Sequence, residues 1–300
     1  MKKLIFCSLL SLCSLFFFTQ CNSQPKQGDE EQSKKDSQAR ETTKATDNTK
    51  NWKIGVQMWT FRVFSLEEAL SKADSAGIKN VECFFGQNLF VGSKDKFGSN
   101  MSAENRAKLK QMLNAKGIQI VAMGVITPKN REEWTKAFDL AKEFGLSYIT
   151  CEPIKNQWDM IDSMAGNYGI KLAIHDHPRP NAYWHPDSVL AASKGHPNIG
   201  SCADVGHWAR NGLDPVECLK KLEGHVFGVH LKDIVKFNNT MAEDTIVGKG
   251  VIDFPAIFRE LNRQGFSGML SIEHESNWQH NLPDVIETVK YYNQEVAKLK

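Results

Sequence analysis

Residues 118–152 read IQIVAMGVITPKNREEWTKAFDLAKEFGLSYITCE, and this stretch decides the fold. Ile118–Val125 is a short run of mostly aliphatic side chains that does not alternate with polar ones. That pattern suits a strand buried on both faces, as in a parallel sheet. Glu132 to Phe144 follows as an amphipathic helical pattern that stops at Gly145. Glycine is the usual helix stop because it takes left-handed backbone angles without a steric cost. Tyr148–Glu152 is then a second apolar run, so the stretch is one strand–helix–strand unit of a parallel sheet.

The same unit recurs in both directions along the chain. The strand candidates are Ile54–Thr60, Asn80–Phe85, Ile118–Val125, Tyr148–Glu152, Lys171–His175, Ile199–Asp204, Val226–Leu231 and Met269–Glu273. Ser65 with Glu67 and Glu68 opens a helix that Gly77 closes, and Ser102 opens one that ends at Gly117. Asp253 to Gln264 ends at Gly265 in the same manner. Eight such units in about 250 residues predict a closed (β/α)8 TIM barrel spanning residues 52–300. No glycine-rich dinucleotide loop follows the first strand, which argues against an open doubly wound sheet.

The N-terminus reads differently. Lys2 and Lys3 precede an apolar run from Leu4 to Phe18, too short for a comfortable membrane span and suited to a signal peptide. The run ends at Phe18-Thr19-Gln20-Cys21, which resembles a bacterial lipoprotein cleavage site, although Gln20 stands where a small residue is usual. Residues 1–21 are therefore expected to be a lipoprotein signal peptide with Cys21 lipidated, against the alternative of an ordinary secreted signal. Residues 22–51 are nearly free of apolar side chains and read as a disordered polar tether. Together they predict an exported protein, lipid-anchored in the periplasm or at the outer membrane. Cys83, Cys151, Cys202 and Cys218 remain, three of them inside apolar runs, and no disulfide framework is expected. A net charge of +2 gives no electrostatic footprint for nucleic acid. A homo-oligomer stays open.

Four ionisable residues terminate separate apolar runs: Glu152, Asp204, His230 and Glu273. Barrel active sites form at the C-terminal ends of the strands, and each of these groups would otherwise be costly to bury. We expect them to hold one divalent metal ion. Three carboxylates and an imidazole form a hard, oxygen-rich set, with Mn²⁺ the first expectation and Mg²⁺, Co²⁺ or Zn²⁺ also compatible. Around them, His175, His177, His207 and Lys232 are candidates for substrate contact. Trp59, Phe61, Phe84, Trp184 and Trp208 lie near strand ends, where an aromatic either stacks on a sugar or packs the rim.

With these motifs in order, residues 52–300 resemble the sugar phosphate isomerase/epimerase family of xylose isomerase-like barrels. Asp204 to His207 resembles its Asp-x-x-His motif, His230-Leu231-Lys232-Asp233 its His-x-Lys-Asp, and Gly248 to Phe254 the segment before a late helix. The resemblance implies a Glu, Asp, His, Glu ligand order, matched by Glu152, Asp204, His230 and Glu273. It also implies Glu152 and Glu273 as the catalytic acid–base pair on opposite sides of the metal. The expected activity is isomerisation or epimerisation of an unphosphorylated sugar or keto-sugar through an enolate or enediolate. A hydratase or lyase acting on a 3-keto-sugar or 3-keto-glycoside is the alternative. A non-catalytic sugar-binding lipoprotein is the alternative of another class, and a multi-zinc nuclease on the same barrel is disfavoured by the near-neutral charge.

Overall fold

The computed structural model describes residues 47–300, and in it eight parallel strands close into a barrel. The barrel strands are β1 (Lys53–Gln57), β2 (Asn80–Cys83), β3 (Gln119–Ile126), β4 (Tyr148–Cys151), β5 (Lys171–His175), β6 (Ile199–Asp204) and β7 (Val226–Leu231). A short antiparallel ribbon follows, β8 (Asp233–Ile234) with β9 (Asp244–Thr245), and then β10 (Met269–Ile272) closes the ring between β7 and β1. The expected (β/α)8 architecture is the observed one.

Local sequence explains the joins. Ser65 and Glu68 form a reciprocal capping box at the start of the helix Leu66–Ser75. Ser102 and Asn130 cap the helices Ala103–Lys116 and Arg131–Phe144, which end at Gly117 and Gly145 in left-handed conformation. The first strand is shorter than its apolar run. Met58–Phe61 turns into a 3-10 helix because the Gln57 side chain accepts a hydrogen bond from Trp59 N and caps the turn.

Most of the apolar core lies between the strands and the helices that surround them, where Trp134, Phe138, Phe254 and Phe258 are fully buried. A smaller layer of Val121, Ala122, Tyr148, Ala173, Cys202 and Met269 forms a separate cluster. Tyr148 claims the space beside β7: a Cβ on Gly228 would stand 2.5 Å from its Oη. Cys83, Cys151, Cys202 and Cys218 are buried free thiols.

The expected signal peptide with Cys21 and most of the expected tether lie outside the described residues. The last residues of the expected tether are described. Thr49–Asn51 forms a 3-10 turn, and Asn48 exchanges two hydrogen bonds with Asn262, from its backbone N to Oδ1 at 3.0 Å and from Nδ2 to the carbonyl at 2.9 Å. Trp52 Nε1 donates to Phe266 O at 2.9 Å. Residues 48–52 therefore dock on the barrel through hydrogen bonds. No helix among the described residues is long and apolar enough to cross a membrane.

Candidate metal and catalytic centre

The strands deliver their polar groups to one end of the barrel. His175 and Asp204 are the last residues of β5 and β6, and Asp204 is in register with His230 on β7. Glu273 and Glu152 directly follow β10 and β4. His175, Asp204, His230 and Glu273 each offer one ligand atom, all within 4.8 Å of one another. His175 Nε2 lies 3.1 Å from His230 Nδ1 and 3.5 Å from Asp204 Oδ2, and His230 Nδ1 lies 3.0 Å from Glu273 Oε2. Ligands bonded at about 2.0–2.2 Å to one ion stand at separations of about this size from each other. Asp204 Oδ2 is buried among His175, His230 and Lys232 without a well-formed hydrogen bond, a cost that a bound cation relieves. On these grounds the set fits a divalent metal.

Three of the four expected ligands thus stand together, and His175, expected as a substrate contact, stands with them. Glu152 belongs to an adjoining group with His177 and His175. His177 Nδ1 bonds one Glu152 oxygen, and Asn181 Nδ2 donates to the other at 3.0 Å. The two groups meet at His175. Burial alone raises the Glu152 carboxyl, but His177 and Asn181 outweigh it and hold the group below its usual range. For His177, burial works downward and the Glu152 carboxylate more than offsets it, so its imidazole titrates above the usual value.

Lys232 is fully buried between both carboxylates of the cluster. Its Nζ lies 3.1 Å from Asp204 Oδ2, 3.1 Å from Glu273 Oε2 and 2.6 Å from Glu275 Oε1. Burial pushes the Glu273 carboxyl up, yet Lys232 and His230 bring it down to about 2. Asp204 is likewise held well below the usual carboxylate range, by His207 and Lys232 against burial. His207 follows Asp204 on the helix Val205–Arg210, its N–H donating to Asp204 Oδ1 at 2.8 Å and its Nε2 lying 3.2 Å from Lys232 Nζ. Burial drives its imidazole well below the usual value.

At the rim, Trp59 meets Phe84 edge-to-face with centroids 4.9 Å apart, and the Arg62 guanidinium lies between Trp59 and Trp278 at 4.7 and 3.8 Å. Phe61 and Trp208 are fully buried and pack the wall.

Some contributors escaped the sequence reading. Glu82, fully buried in β2, faces His230 Nε2 at 2.9 Å. Its signal was present: a carboxylate between Val81 and Cys83 inside an apolar run. Asn181 and Glu275 carried none, because their places depend on how the loops after β5 and β10 fold back.

A family profile described as "Xylose isomerase-like TIM barrel" matches residues 70–295. Among curated relatives, a protein named inosose dehydratase from Clostridium botulinum is 28% identical over 262 residues, covering 71% of this chain and 83% of its own. The rhizopine catabolism protein MocC of Rhizobium meliloti is 28% identical over 133 residues, 40% of this chain. That match spans only 41% of MocC. A solved structure of an uncharacterised protein from Parabacteroides distasonis is 35% identical, covers 81% of this chain and 99% of its own, and superposes with a TM-score of 0.67. More distant structures share the fold: the IolI protein solved with a zinc atom at 19% identity, TM-score 0.63, covering 83% and 99% of the two chains. An L-ribulose 3-epimerase does so at 17% identity, TM-score 0.63, covering 82% and 95%.

Proposed function

The chain belongs to the xylose isomerase-like TIM barrel family, and from that premise we propose that it is a metal-dependent sugar isomerase or epimerase. Its substrate in this reading is an unphosphorylated sugar or keto-sugar, and its chemistry is proton transfer at a carbon beside a carbonyl. One observation carries the reading: His175, Asp204, His230 and Glu273 converge, nearly or fully buried, at the catalytic end of the barrel.

A divalent ion bound there supplies positive charge that stabilises negative charge developing on a substrate oxygen. The chain's own residues do the rest. Glu152 is the side chain best placed to take or return a carbon-bound proton, since it borders the cluster without belonging to it. His177 and Asn181 fix its orientation from both oxygens. Glu273, within the cluster and next to Lys232, is the second proton-handling candidate. Lys232 and His207 line the floor where substrate hydroxyls are held, and the Trp59–Phe84 pair forms part of the rim.

Dehydration is a second reading, favoured by the inosose dehydratase relative. It shares the first proton transfer and then expels a β-hydroxyl, for which a protonated His177 beside Glu152 is a suitable acid. A non-catalytic sugar-binding role is not favoured, because binding alone does not require burying two carboxylates and two imidazoles around one point. We also propose that the barrel is exported and anchored through a lipid on Cys21, on the strength of the sequence pattern alone.

The test incubates the metal-loaded protein with a panel of keto-sugars and keto-polyols in D2O. Solvent deuterium entering carbon α to the carbonyl supports the shared step, and an epimer or an unsaturated product separates the two readings. Full metal content with no exchange on any substrate overturns both.

A further inference from the structure

The ligand atoms of His230 converge on the cluster only if its ring carries its hydrogen on the other side. The two ring nitrogens are 3.0 Å from Glu273 Oε2 at Nδ1 and 2.9 Å from Glu82 Oε2 at Nε2. Both neighbours are carboxylates, which only accept hydrogen bonds, so a cation held by Nδ1 and Glu273 takes the place of a proton there, and the remaining ring hydrogen then sits on Nε2 and donates to Glu82. Glu82 is itself fixed: Thr150 Oγ1 donates to its other oxygen at 2.5 Å. Its carboxylate is fully buried on β2, and it meets a ligand from β7, with β1 and β10 between them in the ring. Asn or Gln there would hold the shape, but a carboxylate adds basicity to the imidazole it holds.

We propose that Glu82, through Thr150, is a positioning residue that fixes the tautomer and ring orientation of His230 for a divalent d-block cation. The inference rests on the reading of His230 as a ligand, and it assigns Glu82 no contact with substrate or reacting atoms. A carboxylate that merely completes a buried pair affects folding alone, whereas a positioning carboxylate also sets cation affinity and the nitrogen that stays bare.

The experiment uses the folded domain in its full chain, stripped by a chelator and titrated with Co²⁺ and Zn²⁺. Visible absorption of the Co²⁺ form reports ligand geometry, calorimetry reports affinity, and long-range proton–nitrogen spectra of labelled histidines report the tautomer. Glu82→Gln keeps an acceptor without the charge, and Glu82→Leu removes both. We expect affinity to fall about 10-fold for Glu82→Gln and up to about 100-fold for Glu82→Leu, the range seen when such supporting partners are lost. The Co²⁺ band should change, and the Nε2-protonated signal assigned to His230 should weaken in Glu82→Leu. Thr150→Val should lower affinity by less. If Glu82→Leu does not fold, Glu82→Gln decides alone. A folded Glu82→Gln protein with wild-type affinity, band and tautomer overturns the proposal while leaving the metal reading intact. A wild-type chain that binds neither ion overturns both.

Discussion

His175 Nε2 faces His230 Nδ1 across 3.1 Å, with β6 lying between the strands that carry them. Two bare ring nitrogens at that distance repel unless a proton or a cation stands between them. Asp204 Oδ2 is 3.5 Å from the first and 3.8 Å from the second. Removing either ring should therefore break the ion site. His175→Leu and His230→Leu should each lose more than about 100-fold in affinity, since even supporting partners cost about 10–100-fold. Metal content after dialysis against a fixed free ion concentration checks this, and full occupancy in His175→Leu would remove that residue from the site.

Glu152 should behave differently. Because it adjoins the cluster rather than joining the four-residue group, Glu152→Gln should retain most of the metal. Turnover should fall by about 10²–10⁴-fold, the usual contribution of a positioned acid or base. Metal analysis beside deuterium exchange separates the two effects. Parallel loss of metal and exchange would return Glu152 to the ligand set.

Asn181 touches Glu152 only through Nδ2, while its own Oδ1 accepts from Tyr183 N at 2.7 Å. Asn181→Ala should loosen the carboxylate and lower kcat about 10-fold, a cost matching one hydrogen bond to a charged group. KM and metal content should move little. A rise in KM with kcat unchanged would place Asn181 on the substrate instead.

Truncation tests where the domain begins. A chain starting at residue 47 should keep the wild-type melting temperature, because the Asn48–Asn262 and Trp52–Phe266 contacts remain. A chain starting at residue 53 also loses Trp52, which packs on Phe258 and Phe266. It should be destabilised by about 3–5 kcal/mol in urea unfolding, as for loss of a buried large aromatic.

The metal-free protein should lose stability in acid. Glu273 ionises at about 2 in the fold against 4.5 as its ordinary value. A depressed carboxyl contributes stability that is fully present above 4.5 and lost as pH falls through 2. Asp244 acts in the opposite sense. Burial, only partly offset by Lys232 and Arg210, raises it from 3.8 to about 6. Its contribution is present below about 4 and lost as pH rises through 6. Unfolding free energy measured from pH 2 to 7 should flatten at the acid end in Glu273→Gln, and flatten between 4 and 6 in Asp244→Asn. An unchanged acid limb in Glu273→Gln would show that its ion pairs are not coupled to folding.

Much of this was legible because parallel strands buried on both faces leave few reasons for a polar side chain to sit at their ends. Glu152, Asp204, His230 and Glu273 stood out on that ground alone, and the structure sets Glu152 beside the four-residue group rather than in it. The place of His175 was harder to read. It closes an apolar strand as they do, but a second histidine two residues on made substrate contact look equally apt, and only the register of β5 against β6, with His175 opposite Cys202, brings it within reach of Asp204 two residues further on. Glu82 lay inside a strand rather than at its end, where inward-facing and outward-facing positions look alike in sequence. Asn181 owes its place to a loop stapled by Tyr183, whose Oη donates to Pro153 O at 2.6 Å, and no periodicity encodes such a return. The docking of Asn48 carries no signal in composition, because it works through hydrogen bonds to Asn262 rather than apolar surface.

The four buried cysteines bear on where the barrel works. Burial pushes the Cys202 and Cys218 thiols up to about 12 and raises those of Cys83 and Cys151 as well. At neutral pH almost no thiolate exists to attack an oxidant or a neighbouring disulfide. The domain therefore needs no oxidative maturation and stays inert to thiol chemistry once folded. It should assemble equally well in a reducing or an oxidising compartment, with no dependence on disulfide-forming machinery.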